Sequence, residues 1–256
     1  MASAEVIVPC FDEAPRLDRR RFGELARQGV VDLLFVDDGS RDRTRSILNE
    51  MCAAAPGTMR LLALDENVGK GEAVRQGMNA ALARGATIVG YTDADLSTPP
   101  SEVLRLLEET RARDMAVVAG SRVLLVGRKI VRRRVRHILG RVFATGAAQV
   151  LRTPFYDTQC GAKFFRASNE LRVALYRPFL SRWAFDVELI GRLLAGSAEA
   201  APVPLERFLE VPLLEWVDVP DSKVHVGGMI RALVDLGRIE ADLSRRRKRE
   251  RTAAGS

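Results

Sequence analysis

Short apolar runs alternate with helix-length amphipathic segments through the first half of the chain, and this alternation restricts the fold more than any other feature. The runs cover residues 5–9, 31–36, 59–64, 89–92 and 115–119. Helices are predicted between them: one ending near Gly29, one over 42–55, one from the 65–71 turn to about Arg84, and one up to about Arg113. Such a pattern builds a parallel, helix-covered sheet whose site lies at the carboxyl ends of the strands. The class is therefore α/β, with a mainly parallel central sheet between helical layers. Pro9 closes the first run because proline cannot donate to a sheet ladder.

The fourth run ends in Asp93-Ala94-Asp95. Residues two apart in a strand share a face, so the two carboxylates can converge on one hard divalent cation. The plainer alternative is that they cap the helix begun by Ser97-Thr98-Pro99-Pro100. After the third run, Asn67-Val68-Gly69-Lys70-Gly71 opens a helix, where glycines would let backbone N–H groups approach a phosphate and Lys70 would add charge. The spacing is not that of a P-loop, so an ATPase is not indicated.

Of the 256 residues 47% are hydrophobic, enough for a sizeable core. No run approaches the ~18 apolar residues of a membrane span. Residues 1–5 also lack the order of a secretory signal, so the chain is expected in the cytoplasm. Cys10, Cys52 and Cys160 are far apart with no C-x-x-C pair, which argues for reduced thiols. With only His137 and His225 a His-rich metal centre is excluded, and no nucleophile elbow accompanies either ring.

The net charge of +7 is concentrated at Arg128-Lys129, Arg132-Arg133-Arg134 and Arg136, then at 245–251. Such clusters mark a surface for phosphates, in nucleic acid or in an anionic leaflet, where they are not simply a solvated face. Apolar residues at 131, 135, 138, 139, 142 and 143 recur at helical spacing with arginines between them, so 124–152 reads as a basic amphipathic helix for a membrane surface, or an ordinary core-facing one. The stretch 157–165 reads as a polar turn and short strand, and 182–189 puts Asp186 and Glu188 in a first helical turn, where carboxylates also serve the macrodipole. A last strand is predicted over 206–219, a turn at 221–223, an amphipathic helix over 229–243, and a basic, disordered tail over 244–256. No repeat or linker divides residues 1–243, which are expected to form one domain.

The ordered set Pro9-Cys10-Phe11-Asp12-Glu13, Asp37-Asp38-Gly39-Ser40, Asn67-Val68-Gly69-Lys70-Gly71, Asp93-Ala94-Asp95, Gly120-Ser121-Arg122 and Asp157-Thr158-Gln159-Cys160-Gly161 resembles family 2 glycosyltransferases of the GT-A fold. Within them it is most similar to the dolichyl-phosphate or polyprenyl-phosphate β-glucosyltransferases, with the mannosyltransferases close behind. The stretches 157–165 and 183–189, with Ser222-Lys223, favour the glucosyl branch.

The resemblance implies a nucleotide-sugar pocket lined by Pro9, Phe11, Asp12, Glu13, Asp38, Gly39, Ser40, Asn67, Lys70, Asp93 and Ala94. It implies Mg2+ or Mn2+ on Asp93 and Asp95, an acceptor phosphate met by Arg122, Arg128, Arg132, Gln159 and Lys163, and catalytic roles for Asp95, Asp186 and Glu188. The expected reaction is inverting transfer of glucose from UDP-glucose to a polyprenyl phosphate, with GDP-mannose as the alternative donor. A phosphate acceptor is mostly dianionic near neutral pH, its second pKa being about 6, so Asp186 or Glu188 is more readily a positioning residue than a base. The resemblance implies an N-terminal membrane helix in many eukaryotic relatives, and this sequence is expected to do without one. Attachment to the inner face of a membrane is then expected through the basic amphipathic surface or a membrane-protein partner, with a homodimer also open. A soluble hydroxyl acceptor would leave 124–152 idle, and nucleic acid is not expected because clustered strand-end carboxylates repel its phosphates.

Overall fold

A computed structural model describes residues 3–123, 125–131, 134–217 and 226–254. The chain runs β1 (Ala4–Cys10), α1 (Arg19–Arg27), β2 (Asp32–Asp37), α2 (Thr44–Ala54), β3 (Met59–Ala63), α3 (Lys70–Ala83), β4 (Ile88–Tyr91), α4 (Pro100–Ala112) and β5 (Val117–Ser121). It continues with β6 (Lys129–Val131), α5 (Arg134–Leu151), β7 (Lys163–Arg166), α6 (Asn169–Tyr176), α7 (Phe185–Ala195), β8 (Phe208–Pro212), β9 (Glu215–Val217) and α8 (Val226–Ala254).

The main sheet has the order β3-β2-β1-β4-β7-β5-β8. Its ladders are parallel except where β7 lies antiparallel between β4 and β5. The expected mainly parallel α/β architecture is thus present. Its central strands are near-continuous apolar runs because both faces are covered. Val6, Val8, Leu33 and Phe35 pack under α1, α2 and α4, where Phe22 meets Phe35 edge-on at 5.2 Å. Ile7, Leu34 and Val36 face α3, α6 and α7. A third cluster joins Ala232, Leu236, Ile239 and Leu243 of α8 to Phe143, Ala147 and Val150 of α5 and to Val187 and Ile190 of α7. Among the described residues no helix is long and apolar enough to cross a membrane.

Three expectations need correction. The helix predicted over 124–152 begins only at Arg134: Gly127 turns the chain with φ 81°, and Lys129–Val131 instead pairs in parallel with β9. The single strand predicted over 206–219 is two. Beyond Pro212, Leu213 turns its side chain into the core and donates its N–H to Ser121 O at 2.9 Å, ending the main-sheet ladder before β9 starts a second sheet. Lastly, no break occurs at 243, because α8 runs from Val226 to Ala254. Arg246 reaches back to Asp242 at 2.7 Å, and Arg247 donates to Val150 O at 2.8 Å, so part of the basic tail is tied to the fold. Ser222 and Lys223 lie outside the described residues.

Candidate active site

The carboxyl ends of β1, β2 and β4 lie at one edge of the sheet, and because β7 is antiparallel its first residue, Lys163, sits beside Tyr91 at the end of β4. Asp93 and Asp95 follow directly from β4, both half-buried. Neither caps α4, whose N-cap is Pro99 without a side-chain hydrogen bond. Asp95 Oδ1 accepts from Ser97 N at 3.0 Å and Ser97 Oγ at 2.7 Å, and Asp93 Oδ1 accepts from Lys70 Nζ at 2.5 Å. Among the described residues no hydrogen bond to the second carboxylate oxygen of either aspartate is present. Gly161 lies so close that a Cβ there would collide with the Asp93 carboxylate. Burial pushes the Asp95 carboxyl up from its ordinary value, and the neighbouring Asp93 adds to the shift. Burial works to lower the Lys70 ammonium, but Asp93 and then Asp186 outweigh it and the net shift is upward.

Beside this pair lies a buried knot around Asp186, in the first turn of α7. Its Oδ1 accepts from the Tyr91 hydroxyl and from Lys163 Nζ at 2.8 Å, and Gln159 Nε2 approaches Oδ2 at 3.4 Å. Lys163 is wholly buried, donates also to Cys160 O at 2.5 Å, and stands 5.4 Å over the Tyr91 ring. Glu188, in the same first turn, is engaged elsewhere. It is buried with Arg192 at 2.6 Å and accepts from Leu180 N at 2.8 Å, so its carboxylate braces the helix against the 178–181 loop.

Arg122 is bound to Asp157 through Nε at 2.7 Å and Nη2 at 2.8 Å, and its backbone N–H donates to the same carboxylate at 2.9 Å. Its guanidinium stacks 5.2 Å above Trp216. Burial alone would raise the Asp157 carboxyl, but the Arg122 guanidinium outweighs it and holds the group well below the usual range. Burial also pushes the Cys160 thiol up to about 11, so it is not a thiolate at neutral pH. Arg128 is half-buried in the turn before β6, and Arg132 lies outside the described residues.

On the other flank, Asp12 (φ 47°) accepts from Arg41 N at 2.7 Å and donates its own N–H to Ser40 Oγ at 3.0 Å, joining the loops after β1 and β2. Glu13 N donates to Thr44 Oγ1 at 2.8 Å, and its carboxylate pairs with Arg16 at 2.6 Å. Pro9 and Phe11 are half-buried beside them, and Ala94 is buried under Asp93 and Asp95. Asp38 faces inward, accepting from Val68 N at 2.7 Å, Gly69 N at 2.9 Å and Asn67 Nδ2 at 3.0 Å. Burial nevertheless pushes its carboxyl up from the ordinary value.

The backbone N–H groups expected to cradle phosphate are therefore already committed: Val68 and Gly69 to Asp38, and Gly71 to Arg182 O at 3.1 Å. The glycines serve close packing instead, since a Cβ on Gly71 would lie 2.7 Å from Phe185 Cβ. Sequence reasoning missed Arg182, which donates to Asn67 O at 2.6 Å, Asn67 Oδ1 at 2.8 Å and Val68 O at 3.1 Å, and Tyr91, the donor to Asp186. The only signal for either was position, next to a motif. Gly39 has φ 66° and a Cβ there would lie 2.5 Å from the Glu66 carbonyl carbon. Gly39→Ala is expected to lose at least about 1–3 kcal/mol of stability in urea unfolding, from the left-handed backbone alone. An unchanged midpoint would show that the 39–67 approach can relax.

A mostly parallel sheet with carboxylates, a lysine and a buried aspartate gathered at its strand ends is the arrangement of a nucleotide-sugar transferase, and the chain belongs to glycosyl transferase family 2, whose model matches residues 5–171. Among its relatives is dolichyl-phosphate beta-glucosyltransferase from Trichomonas vaginalis, 32% identical over 91% of this chain and 66% of that protein. Another is polyprenol monophosphomannose synthase from Mycolicibacterium smegmatis, 27% identical over 91% of this chain and 89% of that one. The chain spans about two thirds of the length of the Trichomonas and Dictyostelium discoideum glucosyltransferases that it matches. A solved structure of glucosyl-3-phosphoglycerate synthase from Mycobacterium tuberculosis, in complex with Mn2+, UDP and glucosyl-3-phosphoglycerate, superimposes with a TM-score of 0.66 at 17% identity, covering 93% of this chain and 80% of that one. That likeness establishes the GT-A fold.

Proposed function

We propose that the chain transfers glucose from UDP-glucose to a polyprenyl (dolichyl-type) phosphate with inversion, giving a β-linked lipid phosphate sugar. The observation that carries this reading is the meeting, at the carboxyl end of the sheet, of Asp93, Asp95 and Lys70 with a carboxylate, Asp186, that is already held by Tyr91 and Lys163. The dolichyl-phosphate glucosyltransferase relative supports the choice of donor and acceptor.

Asp93 and Asp95 fit a hard divalent ion, Mg2+ or Mn2+, since they are oxygen ligands on one half-buried ledge and each has spent one oxygen internally. Among the described residues no cluster of three or more His, Cys, Asp or Glu could hold a metal, which suits an ion that takes its remaining ligands from a diphosphate. When bound, the ion supplies charge stabilisation to the departing nucleotide. Lys70, beside Asp93, adds a second positive charge on the leaving-group side. The loops after β1 and β2, joined through Asp12 and Ser40, form the wall offered to the base and ribose. Asp186 Oδ1 is engaged by two donors, which suits positioning better than proton abstraction, and an acceptor phosphate that is already ionised needs no base. Glu188 is left out of the catalytic set, and Lys163 is assigned to hold Asp186 rather than the acceptor.

The test is incubation with labelled UDP-glucose, GDP-mannose or UDP-GlcNAc, each with polyprenyl phosphate, followed by organic extraction and chromatography. Label from UDP-glucose is expected in the lipid fraction. Label from GDP-mannose alone would establish the second reading, which the polyprenol monophosphomannose synthase relative supports. Arg182→Gln removes charged hydrogen bonds to the 67–68 backbone, each worth about 1.5–3 kcal/mol. It is expected to weaken UDP binding in calorimetry by about tenfold or more, the lower end of that range. Unchanged affinity would detach the 67–69 turn from the donor.

A further inference from the structure

The turn before β6 carries an exposed apolar tip. Val126 is fully exposed and Leu125 nearly half exposed, immediately before Arg128 and Lys129. The turn is closed by Arg128 N donating to Leu125 O at 3.1 Å, so the two apolar side chains are displayed by a defined loop. On the adjoining ribbon, Leu214 and Val217 are also exposed, whereas Trp216 and Ile130 point inward to the core. The ribbon is rooted in the candidate site: Trp216 lies under Arg122, and Val217 N donates to Ser97 O at 3.1 Å, two residues beyond Asp95.

The sequence on either side of the tip carries charge of one sign. Residues 115–156 contain no Asp or Glu and nine Arg or Lys. Lys129 is offset by Glu215 at 2.7 Å, which leaves Arg128 and the arginines that follow in sequence as the local excess. A nucleic acid would be served by those cations but gives no reason to display Leu125 and Val126 in water. An anionic bilayer is served by both, the cations meeting headgroups while the apolar tip enters the acyl boundary.

We propose that the 125–128 tip and the outer face of the β6·β9 ribbon dock on an anionic lipid bilayer, with Leu125 and Val126 inserted. Resting on the lipid-phosphate reading above, the proposal places the cleft beside the leaflet from which the acceptor rises. The basic residues of α8 are not required for it.

The test uses the full chain with phosphatidylcholine vesicles, with and without phosphatidylglycerol. Wild type is expected to co-sediment with the anionic vesicles only, and less as salt rises beyond a Debye length of about 8 Å near physiological ionic strength. Val126→Asp is expected to lower that partition by about tenfold or more, given what burial of a valine contributes. Its UDP affinity and its turnover of a short, water-soluble acceptor phosphate should be unchanged. A Val126→Cys variant carrying an environment-sensitive fluorophore at that position should shift to the blue on anionic vesicles.

Sedimentation without a blue shift would overturn insertion. Wild type that ignores vesicles but retards RNA would overturn the bilayer in favour of nucleic acid. Either result with turnover of the short acceptor intact would leave the transferase reading standing, whereas no turnover of any acceptor would count against that reading and not against the docking surface.

Discussion

Asp95→Asn should lower sugar transfer by about a thousandfold while the protein stays folded. An amide is a poor ligand for a hard ion, and charge stabilisation of a departing diphosphate is worth several kcal/mol, at about 1.36 kcal/mol per tenfold in rate. The stability change should have the opposite sign. Burial, and then Asp93, push the Asp95 carboxyl up, so the folded state holds that proton more tightly than the unfolded state does. The group therefore favours the fold at low pH, and this contribution is lost as pH rises through its folded value. At neutral pH the ionised carboxylate is a cost that Asn removes, and the metal-free unfolding midpoint of the variant should match or exceed that of wild type. Full turnover by the variant, or by wild type in excess EDTA, would rule out the ion; a fall in the midpoint would mean that fold rather than chemistry had been lost.

Lys163→Met should destabilise the protein by about 3–5 kcal/mol, because taking away one partner of a buried ion pair strands the other charge. Lys163 is wholly buried and Asp186 nearly so. A typical domain has only about 5–15 kcal/mol in all, so the variant should unfold at markedly lower urea. Adding Asp186→Asn to it should recover a large part of the loss, since the stranded charge is then gone and Tyr91 keeps an acceptor. If the double variant is no more stable than Lys163→Met, the pairing does not carry the stability assigned to it.

The parallel half of the sheet was legible because strands covered on both faces must be apolar throughout and must end in turns, as residues 5–9 and 31–36 do. β7 was visible as a strand but not as the strand between β4 and β5, since four residues hold no record of their neighbours. The turn at Gly127 and the break after Pro212 hid the second sheet inside what read as one helix and one strand. The members of the cleft were legible as motifs, their partners less so. Lys163 reads as a cation available to a phosphate until the fold brings Asp186, 23 positions on, within 2.8 Å of it. Arg182 carries no pattern of its own, because its bonds go to the backbone of residues more than a hundred positions earlier. For Asp38 the hidden part was its bonding, because a carboxylate after a strand looks the same in sequence whether or not it also accepts, as here, from the turn beneath it.

The placement of β7 also bears on how the chain can be made. β5 pairs only with β7 and β8, both of which come later in the chain, and the outer edge of β4 is covered by β7. While the ribosome is still upstream of residue 163, β4 therefore shows an open edge and β5 has nothing to bond, the condition under which nascent α/β chains associate wrongly. Four residues end that interval, and the first of them is the lysine that secures Asp186. β7 thus closes the edge of β4 and delivers the lysine together, ahead of Asp186 and β8, so a nascent or truncated chain that stops short of β7 has neither.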